Sequence, residues 1–464
     1  MGSRLKSDST FPHFIGIVLT FFILKLFTLR FKFSDGFTYM YMGKLISEGF
    51  IPYKDFFFAS PPLQAYLMFI GEIFIGNHIL LLKLIPILAT IGSAFFTYNF
   101  MREKFGNREG LTASTLFLFS SLILLTTDYS TGIHLTLFFI LGMIYFTEKD
   151  RPFLAGIFGS LALCTRLYAP FPIAGVGLYY LIYKKKNLLK FLIGLGTIFI
   201  PISIIFQMVS NGNYLNQILF FRLNLITDIG LSKFTILKFF IIKDFFLIIG
   251  TISYLIFNKE KKKLILPILA TAFSILLLII YSDIYYLYFG LIISFFSMFT
   301  TAFIFKFKNE KKFKKIITAF LILIVLFNST VYVTGYASTA NIDFTEDLTK
   351  FVKENSEKNE TIYGSFEIAP LISILSERRL AGNIADTNPK NIMTNTFSIE
   401  DIENKIEGVK FILAKGIILN DGRIAGFDAS TPTRYIKEKC DIAKIYHLKK
   451  DFSSNVVIVY NCSK

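Results

Sequence analysis

The chain has 464 residues, 53% of them hydrophobic, with 55 Phe and a mean hydropathy of +0.56. Such composition excludes an ordinary soluble protein, because the apolar residues recur in runs near the roughly 20 positions needed to cross a bilayer core. The net charge of +16 would suit nucleic acid, but residues 1–338 carry 32 basic and 15 acidic side chains against 17 and 18 in residues 339–464. The excess bases sit in short loops between apolar runs, which is a membrane-orientation signal and excludes a nucleic-acid partner.

In chain order, the first apolar run covers Phe11–Phe31. It is long and lacks a small-residue cleavage site, so it reads as a retained helix rather than a signal peptide. A polar loop, 32–77, comes next. Further runs are expected at His78–Phe100, Leu111–Thr127 and Gly132–Phe146, then two short ones within 152–183 separated at 165–170. The remaining runs are Phe191–Val209, Phe239–Phe257, Leu264–Tyr281, Leu287–Phe305 and Ile316–Tyr336, about eleven spans in all. The loops 102–109, 148–151, 184–190, 258–263 and 306–315 together hold 19 Lys and Arg, and the alternate loops hold few. The positive-inside rule then predicts a multi-pass cell-membrane protein with a cytoplasmic N-terminus. It also places loops 32–77, 128–131, 165–170, 210–235 and 282–286 on one outer face, as a single site would need.

Residues 339–464 have ordinary globular composition. Phe344, Leu348, Phe351 and Val352 share a helical face, and short β-rich runs lie at Thr361–Tyr363, Val409–Leu413, Ala443–His447 and Val456–Tyr460. Ser398 begins a helix, and Thr431–Lys439 reads as another. This predicts two units: a transmembrane domain, 1–338, and a small extracytoplasmic α/β domain, 339–464. Of three cysteines, Cys164 stands apart. Cys440 and Cys462 are expected as unpaired thiols, with pairing as the alternative if the domain faces an oxidising space.

The loop 32–64 carries the densest chemistry. Asp35 stands just past the first span. A helix is expected from Thr38 to Glu48, with Tyr39, Met42, Leu45 and Ile46 near one face and Lys44, Ser47 and Glu48 away from it. Gly49 ends it, and such a helix would lie flat in the membrane interface. Pro52, Pro61 and Pro62 stiffen the rest of the loop.

Asp35, the interfacial helix, Gly49-Phe-Ile-Pro52-Tyr53-Lys-Asp55-Phe56 and Pro61-Pro62 together resemble the first external loop of the glycosyltransferase C superfamily. The branch it looks most like is that of protein mannosyltransferases and aminoarabinose transferases, which use polyprenyl-phosphate sugars. The resemblance implies Asp35 as the catalytic base, with Gly36 where the family often has a second acid. It also implies Asp55, Tyr53 and Tyr39 as substrate-binding candidates, Asp128 as a second external acid, and Asp283, Tyr285, Tyr286 and Tyr288 as the aromatic border of a lipid-donor groove.

The chemistry stands beside the resemblance. Moving a sugar from a lipid phosphate to a hydroxyl needs a base for the hydroxyl proton and cations for the departing phosphate. Arg166 and Arg222 are the phosphate candidates, since a guanidinium holds two phosphate oxygens at once. No Asp-x-Asp motif is present, so neither a metal nor a cofactor is expected beyond the lipid-phosphate sugar donor. The expected function is transfer of a sugar from a polyprenyl- or dolichyl-phosphate donor to an extracytoplasmic protein, lipid or glycan acceptor. The alternatives are a polysaccharide polymerase or ligase and a lipid-linked glycan transporter.

Overall fold

The computed structural model describes residues 10–31, 34–75, 79–221, 232–258, 260–281, 284–307, 311–339, 344–419, 424–451 and 454–462. In lipid each peptide group must find its partner within its own segment, so the apolar runs fold as helices. Five are long and apolar enough to cross a bilayer: Ile79–Phe105, Lys185–Val209, Lys261–Ile280, Tyr286–Ile304 and Thr318–Gly335. A sixth candidate is the pair Lys233–Lys243 and Phe245–Phe257, bent by 89°. Shorter apolar helices lie at Phe11–Phe27, Leu63–Phe74, Ile133–Glu148, Pro152–Leu163 and Pro170–Tyr183.

Two expected spans are broken, and each break serves the other. The run Leu111–Thr127 is divided into helices Asn107–Leu118 and Ser121–Thr126. The run Phe239–Phe257 starts earlier, at Lys233, and bends at Asp244. The Asp244 carboxylate accepts from the backbone N–H groups of Ser121 (2.9 Å) and Leu122 (3.1 Å), satisfying donors that a helix start leaves without partners. Tyr286 donates its phenol to the same carboxylate at 3.3 Å.

After the first helix the chain forms helix Gly36–Ser47, two residues earlier than expected. It is not the one-faced interfacial helix that its apolar spacing suggests. Phe37, Met40, Tyr41, Met42 and Leu45 are all buried, on more than one side. One side crosses helix Leu63–Ile75 at Gly43, where a Cβ would stand 2.8 Å from the Met68 backbone. On another, Phe37 and Met40 pack with Leu371 of helix Ala369–Ser376. The second covering comes from a segment more than 300 residues away, which local periodicity cannot register.

The C-terminal portion begins with helix Phe344–Glu354 and builds a six-stranded sheet. Its strands are β1 (Thr361–Gly364), β2 (Arg379–Leu380), β3 (Phe411–Ile418), β4 (Ile424–Ala425), β5 (Asp441–Asp451) and β6 (Ser454–Asn461). The order is β2-β1-β3-β6-β5, with β4 on β3. Strands β2 and β3 run parallel to β1, whereas β6 is antiparallel to both β3 and β5. The four expected β-runs became β1, β3, β5 and β6; the two-residue β2 and β4 carry too short a pattern to read. Ser398 and Asp401 close a capping box at helix Ile399–Lys405. Cys440 and Cys462 form a disulfide, contrary to the unpaired expectation, because β5 and β6 pair at Asp441 and Asn461 and bring the flanking residues together. One apolar cluster joins Tyr41, Leu45, Tyr53 and Phe58 of the first loop to Leu348, Ile362, Leu413 and Val457 of the sheet portion. That cluster seats the α/β portion on the loop that holds Asp35.

Candidate active site

Asp35 is the residue immediately before helix Gly36–Ser47, yet its side chain makes no capping hydrogen bond. Among the described residues its carboxylate has no hydrogen bond or ion pair, so it is held by the backbone alone. Gly36 explains part of that placement: a Cβ there would stand 3.0 Å from the Ser130 backbone nitrogen. The helix start is thus pressed against the 128–132 segment, and a second acid at this position would meet main chain.

Solvent reaches Asp35, yet protein surrounds it closely enough to strip much of its water. The crowding by protein atoms is what governs the charge. Burial pushes the Asp35 carboxyl up to about 6; Glu367 and Asp386 add to the rise, while Lys390 and Arg166 oppose it. Five charged groups from separate parts of the chain therefore meet here.

Arg166 lies in the turn between helices Pro152–Leu163 and Pro170–Tyr183. It is 7% exposed. Its Nη1 donates to Ser60 Oγ at 3.0 Å, and its guanidinium lies 4.8 Å from the Tyr39 ring centre. Its Nε is buried with no partner among the described residues. No described carboxylate pairs with it, and a buried cation left in that state favours an incoming anion. The Tyr39 hydroxyl shares a 3.3 Å hydrogen bond with Ser60 Oγ, and Tyr53 donates to the Ser60 carbonyl at 2.7 Å. Tyr53 is 1% exposed, and its buried hydrogen bond holds the Ser60 backbone. Gln64 Oε1, Ser130 Oγ and Thr131 Oγ1 are further buried atoms without hydrogen-bond partners among the described residues.

The other expected residues are scattered around and beyond Asp35 and Arg166. Asp55 is exposed and accepts from the Ile51 N–H at 2.8 Å, closing its own turn. Asp128 lies between two buried lysines, Lys25 at 3.0 Å and Lys83 at 3.5 Å, and so anchors the 128–132 segment. Tyr285 accepts from Lys390 Nζ at 3.0 Å, with the ammonium 4.7 Å from its ring centre. Tyr288 packs on Tyr168 at 4.7 Å between ring centres. Tyr286 faces Asp244 instead. Arg222 and Asp283 lie outside the described residues.

Lys390, Glu367 and Asp386 had no local sequence signal. Lys390 sits in the first turn of helix Pro389–Met393, which Asn388 caps by accepting from its N–H at 3.1 Å. Nothing in that motif points to a site some 355 positions upstream. Among the described residues no three His, Cys, Asp or Glu side chains gather as a metal ion would need. A surface cleft of about 620 Å³ lined by Lys44, Glu48, Lys358, Asn359, Glu377 and Arg379 lies towards the other end of helix Gly36–Ser47 and includes none of the groups around Asp35.

The sequence matches no family model and no curated protein. The fold has solved counterparts. ArnT from Cupriavidus metallidurans bound to undecaprenyl phosphate aligns over 98% of both chains, with a TM-score of 0.66 and 12% identity. The Archaeoglobus fulgidus oligosaccharyltransferase aligns over 89% of this chain and 70% of its own, with a TM-score of 0.60 and 12% identity. The arabinofuranosyltransferase AftD from Mycobacteria aligns over 98% of this chain and 40% of its own, with a TM-score of 0.56 and 10% identity. The chain therefore shares its fold with these three proteins.

Proposed function

We propose that the protein is an integral membrane glycosyltransferase that moves a sugar from a polyprenyl-phosphate donor to a hydroxyl acceptor on the extracytoplasmic side. The observation that carries this reading is that Asp35, whose side chain has no hydrogen bond or ion pair among the described residues, feels the charge of Arg166, a buried guanidinium with no ion-paired carboxylate among them. The acceptor hydroxyl gives its proton to the Asp35 carboxylate as its oxygen bonds to the anomeric carbon. The bond from that carbon to the phosphate oxygen breaks, and its electron pair leaves on the phosphate. Arg166 stabilises the charge that develops there. Fold support comes from ArnT with undecaprenyl phosphate and from the archaeal oligosaccharyltransferase AglB with a dolichol-phosphate. The Cys440–Cys462 disulfide and the basic loops of the opposite face support an extracytoplasmic location for the α/β portion. The donor sugar serves as the reaction's sole small-molecule partner in this reading.

Asp35→Asn tests the base directly. Purified protein supplied with a polyprenyl-monophosphate sugar should lose at least about a hundredfold in transfer, within the range for removal of a general base. Binding of polyprenyl phosphate should persist. Transfer at the wild-type rate by Asp35→Asn removes Asp35 from the mechanism. A diphosphate-linked donor supplied in parallel separates this reading from a polymerase or ligase.

A further inference from the structure

The segment 128–132 runs between the two groups of the proposed mechanism. At one end the Ser130 backbone nitrogen lies against Gly36, the residue after Asp35. At the other end Gly132 lies against Arg166. Gly132 has a φ of 86°, a left-handed backbone that glycine adopts without strain. A Cβ at this position would stand 3.3 Å from Gln64 Oε1, 3.3 Å from Thr165 Cγ2 and 3.4 Å from Arg166 Nε. An amide oxygen and a guanidinium N–H therefore border one spot beside Gly132, with no side chain between them.

Neither atom has another partner among the described residues. Gln64 is 1% exposed, and its Nε2 donates to the Ser130 carbonyl at 2.9 Å. That bond sets which way round the amide lies and turns Oε1 towards Gly132. Arg166 spends Nη1 on Ser60 Oγ and leaves Nε over. Ser130 Oγ and Thr131 Oγ1, on adjoining residues, are likewise buried without partners among the described residues. Buried polar atoms are normally hydrogen-bonded, so such a concentration marks a place for a polar ligand group. Its chemistry is restrictive. The N–H offers a proton and the amide oxygen asks for one. A phosphate oxygen would satisfy the first and oppose the second, whereas a hydroxyl accepts from Nε and donates to Oε1.

We propose that Gln64 Oε1 and Arg166 Nε, beside Gly132, form a subsite for the donor sugar's hydroxyl next to the anomeric carbon. This deepens the glycosyltransferase reading and rests on it, because there the same guanidinium holds the phosphate bonded to that carbon. Neighbouring nitrogens of one guanidinium then take neighbouring groups of one ligand, a phosphate oxygen and the 2-hydroxyl. Gln64 is the specificity-determining residue. A sugar without the 2-hydroxyl leaves the amide oxygen and the Arg166 N–H buried and unpaired, which disfavours it.

The test measures donor binding to the full-length protein in detergent, without acceptor. The probes are undecaprenyl monophosphates carrying mannose, its C2 epimer glucose, or arabinose, each against its 2-deoxy form. Wild type should bind at least one of these sugars about tenfold or more tighter than its 2-deoxy form, the worth of one charge-assisted hydrogen bond. Gln64→Met should abolish that preference. Gly132→Ala keeps both polar groups and sets a methyl between them, so it should weaken the full sugar more than the 2-deoxy form. A purely structural role for Gln64 lowers both affinities equally and keeps their ratio. That result overturns the proposal, as does a wild type indifferent to the 2-hydroxyl; the two atoms then hold a water only. A preference lost in Gln64→Met, in a protein whose wild type transfers no sugar, overturns the glycosyltransferase reading and leaves the subsite standing.

Discussion

At the scale of single residues, the proposed site centres on Asp35 and Arg166, neither of which has an ion pair among the described residues. Asp35 carries a carboxyl raised to about 6, and a base must be ionised. Transfer should therefore fall as pH drops through about 6, with kcat/KM reporting that midpoint. The sign for stability is the reverse. The folded value lies above the ordinary 3.8, so the contribution of Asp35 to stability is present below about 3.8 and lost as pH rises through 6. Asp35→Asn should then melt above wild type at pH 7 and converge with it in acid, as scanning fluorimetry across pH would show. Arg166 makes a second case. A buried cation without a neutralising partner costs stability, and an apolar replacement often relieves that cost. Arg166→Met should raise KM for the lipid donor at least about tenfold, the loss of one charge-assisted contact, with a melting temperature no lower than wild type.

At the scale of elements, the position of Asp35 depends on how closely two helices cross. Gly43 lets helix Gly36–Ser47 approach helix Leu63–Ile75 so that no side chain fits between them. Gly43→Val should force the helices apart at a cost of about 1–3 kcal/mol, as overpacking does. It should also lower transfer, because the start of the helix moves with it; parallel thermal melts and initial rates check both. Most of the helices follow from composition, with an end within a few residues of its expected place, although the apolar helix Leu63–Ile75 lies inside the stretch read as a polar loop. The two broken spans did not follow, because Asp244 reads in sequence as an acid within an apolar run. Its role as cap for Ser121 and Leu122 exists only once residues 122 positions apart are adjacent.

At the scale of the molecule, the α/β portion packs on the loop that holds Asp35. The Tyr41 phenol accepts from the Leu380 N–H at 2.9 Å, and Arg379 pairs with Glu48 at 2.8 Å, so the portion is bolted along the whole helix that Asp35 begins. Its own integrity rests in part on the Cys440–Cys462 link, which closes a loop of 22 residues. A loop of that size is worth about 3 kcal/mol in the chain-entropy account. The double variant Cys440→Ser, Cys462→Ser should accordingly melt lower by several degrees, and reductant should lower wild type to match it; an unchanged melt in both would show that the link bears no load.

The sequence by itself determined the membrane class, the apolar helices, the α/β character of residues 339–464, and Asp35 and Arg166 as candidates worth naming. These are legible because hydropathy, periodicity and loop charge are local or additive along the chain. Tertiary structure alone decided that Asp128 is held between Lys25 and Lys83 and that Cys440 meets Cys462. It also brought Glu367, Asp386 and Lys390 to Asp35. The reason is physical: which charges face one another depends on long-range packing of the sheet portion on the first loop, and no local pattern encodes a partner more than 300 residues away.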